Sequence, residues 1–149
     1  MIASNVMTTE LVTLVEDASV KDAIVLFQEY RYSDFPVIDR AGKAVGIVTA
    51  RSLLHYAVPD YASEDLLAIM RAGPDIDSVY DKLAAVADHA VTEVIDRDAP
   101  VVAEHMPTSA VAAMLINLKG DSRNVLVVDD QEKLIGIISA RGIVCRLPG

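Results

Sequence analysis

Cysteine is almost missing from this chain: 149 residues carry one, Cys145. A lone thiol excludes an intramolecular disulfide and has no companion at metal-ligand spacing, so it reads as a small buried apolar residue in a reducing compartment. Tryptophan is absent and aromatics make up only 5% of residues, whereas 52% are apolar, so aliphatic and alanine packing must build the core. Basic residues are also scarce. The 13 lysines and arginines face 22 acidic residues, and the net charge of −9 repels polyanions. That argues against nucleic acid or an anionic membrane as the main partner and leaves room for one mononucleotide in a local pocket.

Long apolar runs are missing too. None approaches the roughly 18 residues that span a bilayer, and the start MIASNVMTTE lacks the basic segment and apolar core of a signal peptide. The expected location is cytoplasmic. His55, His89 and His105 show no ligand spacing, Cys145 has no histidine nearby in sequence, and no glycine-rich phosphate loop occurs, so an enzyme is not expected. Asp129-Asp130 and Asp96-Arg97-Asp98 read as solvated turns.

What is present is a repetition. GIVTARSLL, from Gly46 to Leu54, returns as GIISARGIV, from Gly136 to Val144. Sliding the chain by 90 positions aligns residues 12 to 54 with 102 to 144 without a gap, and identities fall at Val12/Val102, Ser19/Ser109, Ala23/Ala113, Val37/Val127, Asp39/Asp129, Lys43/Lys133, Gly46/Gly136, Ile47/Ile137, Ala50/Ala140 and Arg51/Arg141. Apolar residues face apolar residues through both strand-like runs. This pattern implies two copies of one supersecondary unit.

Each copy starts with a β-branched stretch, LVTLV at 11–15 and PVVA at 100–103. A helix follows. Ser19 can cap the first, with Asp22 reaching back and Val20, Ala23, Ile24 and Phe27 on one face. FPVIDRAGKAVGIVT and NVLVVDDQEKLIGIIS then read as hairpins, and short helices at about 50–56 and 140–146 close the copies. The fold class is therefore α+β, two β-α-β-β-α repeats. Residues 1–56 form the first repeat with its lead-in, 57–90 a helical insert and 91–149 the second repeat. Within the insert, Ser63 can cap a helix ending at Gly73-Pro74, and a second helix carries Ile76, Val79, Tyr80, Leu83 and Val86 on one stripe.

With two copies in that order, each bearing an apolar-apolar-Asp strand end and a Gly-Ile-apolar-Thr/Ser-Ala-Arg turn, the chain resembles a tandem pair of CBS (cystathionine-β-synthase) domains, a Bateman module. The resemblance covers nearly the whole chain. It implies packing about a pseudo-twofold axis with two clefts between the copies, in which family members commonly bind AMP, ADP, ATP or S-adenosylmethionine. It also implies a homodimer through the first helices of each copy. With no other domain in view, the expectation is a stand-alone regulatory module acting on an unknown partner protein.

The site residues follow partly from chemistry and partly from the resemblance. Thr49 and Ser139 stand where strand meets helix, so their hydroxyls can accept from free amides, and Arg51 and Arg141 could neutralise a phosphate held there. By carry-over from the family, the walls are Val12 and Thr13 with Phe35 and Pro36, and Val102 and Ala103 with Val125 and Leu126, the last two better suited to the core. The family's ribose-binding aspartate is replaced by Ser52 and Gly142. Losing a charged hydrogen bond costs about 1.5 to 3 kcal/mol, roughly ten- to a hundredfold in affinity. Of the two clefts, the one served by Thr49 and Ser52 is expected to work. The competing reading is a ligand-free dimerisation or docking scaffold.

The helix SAVAAMLINL, from Ser109 to Leu118, is apolar on nearly every side, and Val25, Leu26 and Tyr30 extend the apolar arc of its counterpart. Such helices need a second covering surface.

Overall fold

The computed structural model describes residues 1–58 and 76–147. In chain order it contains α1 (Ala3–Val6), β1 (Leu14–Val15), α2 (Val20–Glu29), β2 (Asp34–Ile38), β3 (Ala44–Thr49) and α3 (Ala50–Ala57). After these come α4 (Ile76–Val86), a 3-10 turn (Val91–Glu93), β4 (Val101–Ala103), α5 (Thr108–Ile116), β5 (Asn124–Val128), β6 (Leu134–Ser139) and α6 (Ala140–Val144). The expected Ser63 helix and its Gly73-Pro74 stop lie outside the described residues. Helix α4 packs against α3. Val86 reaches the first core while Tyr80 faces solvent.

Two three-stranded sheets repeat one topology. In each, the lead strand runs parallel to the first hairpin strand, and the hairpin is antiparallel. Each hairpin also carries a register shift at the matching place, between Val37 and Ile38 and between Val127 and Val128. Local chemistry explains the elements. Ser19 Oγ accepts from the Asp22 amide at 3.2 Å while Asp22 Oδ2 accepts from the Ser19 amide at 2.9 Å, the capping box read from the sequence. Asp39 Oδ1 accepts from the amides of Ala41 and Lys43, and Asp129 Oδ1 does the same for Gln131 and Lys133, so each aspartate shapes its hairpin turn.

The gap-free slide does not survive the register. Leu14 faces Val37 and Val102 faces Val127, so the lead strands are 88 residues apart while the hairpins are 90 apart. Val102 is thus the counterpart of Leu14, and Val12 corresponds to Pro100. The first helices also match at 88, with buried Val111 in the place of buried Ala23 and uncapped Pro107 in the place of Ser19. The difference arises in the loop between first helix and hairpin, residues 30–33 in one copy and 117–123 in the other. Downstream of that indel the 90-residue spacing holds, so the identities from Val37/Val127 onward are true counterparts, whereas Val12/Val102, Ser19/Ser109 and Ala23/Ala113 are not.

Each copy's lead-in crosses to the other copy. Ala3, Val6 and partly buried Met7 pack with Val102, Val111, Val125, Val127 and Ile138 in the second core. Val91, Val94 and Ile95 pack with Val20, Phe35, Val37 and Val48 in the first. The backbone repeats the exchange: the Ala3 amide donates to the Met106 carbonyl at 2.8 Å, and the Val91 amide to the Ala18 carbonyl at 2.9 Å. Thr8 bridges to Ile137 as Asp96 bridges to Ile47, and Lys43 bridges to Lys133 at the hairpin tips. These reciprocal pairings are what a pseudo-twofold relation requires. Between the sheets lies a third cluster of Ile47, Ala99 and Leu126 with Ala44, Leu134 and Ile137. Gly46 is fixed by the crossing, since a Cβ there would lie 2.9 Å from the Asp96 carbonyl oxygen.

Because Val91 is fully buried in the first copy's core, Val91→Ala should destabilise the first sheet although it lies in the second repeat. Removing two methyl groups' worth of buried surface costs about 2 kcal/mol. Urea unfolding should show one shifted transition, with hydrogen exchange in β2 and β3 accelerated. Separate transitions for the two halves would contradict the exchange.

Candidate ligand cleft

A cleft of about 550 Å³ opens where β1's lead-in, the start of β2 and the end of β6 meet. Leu11, Val12, Pro36 and Ile137 give it apolar walls, while Arg31, Arg141, Ser139, Thr8 and Glu10 supply polar groups. Ser139 caps α6, its Oγ accepting from the Gly142 amide at 2.9 Å. Arg141 follows two residues later on the exposed side of the turn. Cationic and apolar groups therefore share one opening, as a molecule with an anionic end and a flat apolar end would need.

Asp34 and Asn124 stand at the floor, and they are counterparts at the 90-residue spacing. Asn124 Nδ2 donates to Asp34 Oδ2 at 2.6 Å, and the Ser122 hydroxyl lies 3.4 Å from the same oxygen. Burial pushes the Asp34 carboxyl above its ordinary value of 3.8, partly offset by the hydrogen bonds from Asn124 and Ser122. A polar pair thus ties the two copies together on the symmetry axis.

Of the residues singled out in the sequence, Val12, Pro36, Ser139 and Arg141 line this cleft. The others lie elsewhere. Phe35 is fully buried in the first core, its ring 4.8 Å from that of Phe27. Val102 belongs to the second core, Ala103 is exposed at the far end of β4, and Thr13 is half-buried beside Val12. Val125 and Leu126 are buried, as their reading as core residues implied.

Thr49 and Ser52 cap each other. Thr49 Oγ1 accepts from the Ser52 amide at 2.8 Å, and Ser52 Oγ accepts from the Thr49 amide at 3.1 Å while lying 2.9 Å from the Thr49 carbonyl. With its hydroxyl turned onto the backbone, Ser52 does not face the 550 Å³ cleft. It lines a shallower depression with His55, Tyr56, Glu93 and Asp121. The 550 Å³ cleft is thus the one at Ser139, whereas the sequence reading expected the one at Thr49 to work. Sequence reasoning missed Thr8, Glu10, Arg31, Tyr32, Asp34 and Asn124. For Asp34 a signal existed, since the 90-residue slide sets it opposite Asn124, two polar residues heading otherwise apolar strands.

The CBS domain model matches residues 3–59 and 91–149, most of the chain. The chain belongs to the CBS domain family. The two matches begin 88 residues apart and end 90 apart, the same shift that the strand register shows. CBSX2 from Arabidopsis thaliana has the same fold, with a TM-score of 0.77 at 23% identity over 97% of this chain and 92% of that one. Another structure of CBSX2 is a complex with AMP, matched at a TM-score of 0.70.

Among sequence relatives, inosine-5'-monophosphate dehydrogenase of Methanocaldococcus jannaschii is 28% identical over 97% of this chain, and the chain spans only 23% of its length. The chloroplastic CBS domain-containing protein CBSX1 of Arabidopsis thaliana is 30% identical over 85% of the chain, which spans 54% of it. No helix among the described residues is long and apolar enough to cross a membrane. The described residues also hold no cluster of three or more metal-ligating side chains.

Because the folded state raises the Asp34 pKa, it holds that proton more tightly than the unfolded chain does. The group therefore opposes folding increasingly as pH rises from about 3.8 through the higher folded value. Asp34→Asn, which still accepts from Asn124, should stabilise the protein at pH 7 and leave it unchanged near pH 3. Guanidinium unfolding at both pH values checks this, and equal stabilities at pH 7 would contradict it.

Proposed function

We propose that this CBS pair is a regulatory module that binds an adenine nucleotide, AMP, ADP, ATP or S-adenosylmethionine, in the cleft of Ser139 and Arg141. The observation that carries the reading is the convergence of Arg31, Arg141 and Ser139 on one opening walled by Leu11, Val12, Pro36 and Ile137. The AMP complex of CBSX2 supports it from a protein of the same fold. Adenine lies between the apolar walls, and the phosphate meets the arginines. Gly142 brings no carboxylate to the ribose, and Glu10 and Asp34 are the carboxylates that face the same space. The nucleotide favours one relative tilt of the two copies, and that shift is read by a partner protein. The module performs no reaction itself and works in the cytoplasm.

A homodimer completes the reading. Helix α5 is apolar, yet of its residues only Val111 is buried within the chain, and Ile116 is 83% exposed. Val144 of α6, which packs against α5, and Leu147 after it are 73% and 82% exposed. A second copy covers this surface.

One observation favours a second reading, a ligand-free scaffold: the position of the ribose aspartate holds an inward-turned hydroxyl at Ser52 and no side chain at Gly142.

Calorimetric titration with AMP, ADP, ATP and S-adenosylmethionine tests the first reading against the second. At a ligand concentration of about 100 times Kd the protein gains about 2.7 kcal/mol of stability, and Arg141→Ala should weaken binding roughly ten- to a hundredfold. Silence across the four ligands would favour the scaffold. For the assembly, Ile116→Asp should convert a dimer to a monomer in sedimentation at micromolar concentration, and a monomeric unsubstituted protein would overturn the dimer.

A further inference from the structure

The two clefts implied by the pseudo-twofold are not alike. The counterparts of Thr8, Ile137, Ser139 and Arg141 are Asp96, Ile47, Thr49 and Arg51. The backbone clamps match: Thr8 and Ile137 exchange hydrogen bonds of 2.8 and 3.1 Å, and Asp96 and Ile47 exchange bonds of 2.7 and 3.2 Å. The side chains do not. Thr8 is exposed at the open cleft, whereas the Asp96 carboxylate is buried and accepts a hydrogen bond on each oxygen. Its Oδ1 accepts from the Asp98 amide at 2.8 Å and its Oδ2 from the Ser122 amide at 3.0 Å.

Ser122 belongs to the loop 117–123, the longer of the two helix-to-hairpin loops. In the first copy, Arg31, Tyr32 and Ser33 of the shorter loop stand back as a wall of the open cleft. In the second, the loop comes down onto Asp96 so closely that a Cβ on Gly120 would overlap the carboxylate. Ser122 is thereby almost wholly buried, and Asp121 Oδ1 lies 3.4 Å from Arg51 Nε. The arginine that answers to Arg141 already faces a carboxylate of its own chain.

We propose that this chain takes one ligand and not two: the Ser139 cleft is the working site, and its counterpart at Thr49 is closed by the chain's own 117–123 loop, latched on Asp96. The proposal rests on the reading that the open cleft holds an adenine nucleotide, and it adds which cleft does so and why the other cannot. A ligand entering on one side only then acts asymmetrically on the two copies, biasing their tilt in one direction.

The test uses the full chain with isotope-labelled isoleucine and valine methyl groups, titrated with AMP, ADP, ATP and S-adenosylmethionine while calorimetry counts equivalents. One equivalent per chain, moving the methyl signals of Val12 and Ile137 more than that of Ile47, which shares the inter-sheet cluster with Ile137, is the expected result. Two equivalents, or a shift of Ile47 in place of Ile137, would overturn it.

Hydrogen exchange decides the closure without any ligand. The Ser122 amide should be protected more than tenfold relative to an unstructured peptide, with Asp96→Ala removing most of that protection and Asp96→Asn keeping part of it. Protection of tenfold or less in the unsubstituted chain would sink the latch. Should none of the four ligands move any signal, the nucleotide reading fails while the exchange result still judges the latch.

Discussion

The whole arrangement depends on an exchange of short apolar segments. A three-stranded sheet with its two helices leaves part of its inner face uncovered, and in each copy the lead-in of the other copy completes that cover. Val91 and Val94 fill the gap over β2 and β3, while Ala3 and Val6 do so over β5 and β6. Two small cores are thereby joined by shared segments, which matters at a size where a single repeat buries too little surface to stand alone. The same crossing brings Thr8 against Ile137 and Asp96 against Ile47, and these contacts frame the clefts. Folding and site geometry therefore have a common cause.

Approximate symmetry then meets unequal side chains. Where the crossing strand carries Thr8, space is left; where it carries Asp96, a carboxylate must find donors, and the loop of Ser122 supplies one. Asp34 and Asn124 show the same principle on the axis itself. Two carboxylates there would repel each other in a desolvated place, and an acid facing an amide forms a 2.6 Å hydrogen bond. Divergence between the copies thus permits contacts that identical copies could not make.

Much of this was legible in the residues. The repeat, the hairpins with Asp39 and Asp129, the Ser19 cap and the strand-to-helix turns at Thr49 and Ser139 all follow from short-range chemistry. The exchange of lead-ins was not legible, because Ala3, Val6, Val91 and Val94 pack equally well against either sheet and only tertiary geometry selects one. The spacing was misread for a related reason. An alternating strand pattern survives a shift of two residues, and α5 is apolar on nearly every side, so Ala23 could be set against Ala113 when the backbone sets it against Val111. Which cleft stays open was hidden too, since it depends on where a loop lands and on the inward turn of the Ser52 hydroxyl.

The crossing has a temporal side as well. Synthesis proceeds from the amino terminus, so β1, β2 and β3 leave the ribosome well before Val91 and Val94, the residues that finish their core. Through that interval the nascent first repeat holds an exposed aliphatic face, and Ala3 and Val6 wait for strands not yet made. Such a chain is most vulnerable to aggregation or chaperone capture midway through its translation, and the vulnerability ends only as the second repeat emerges.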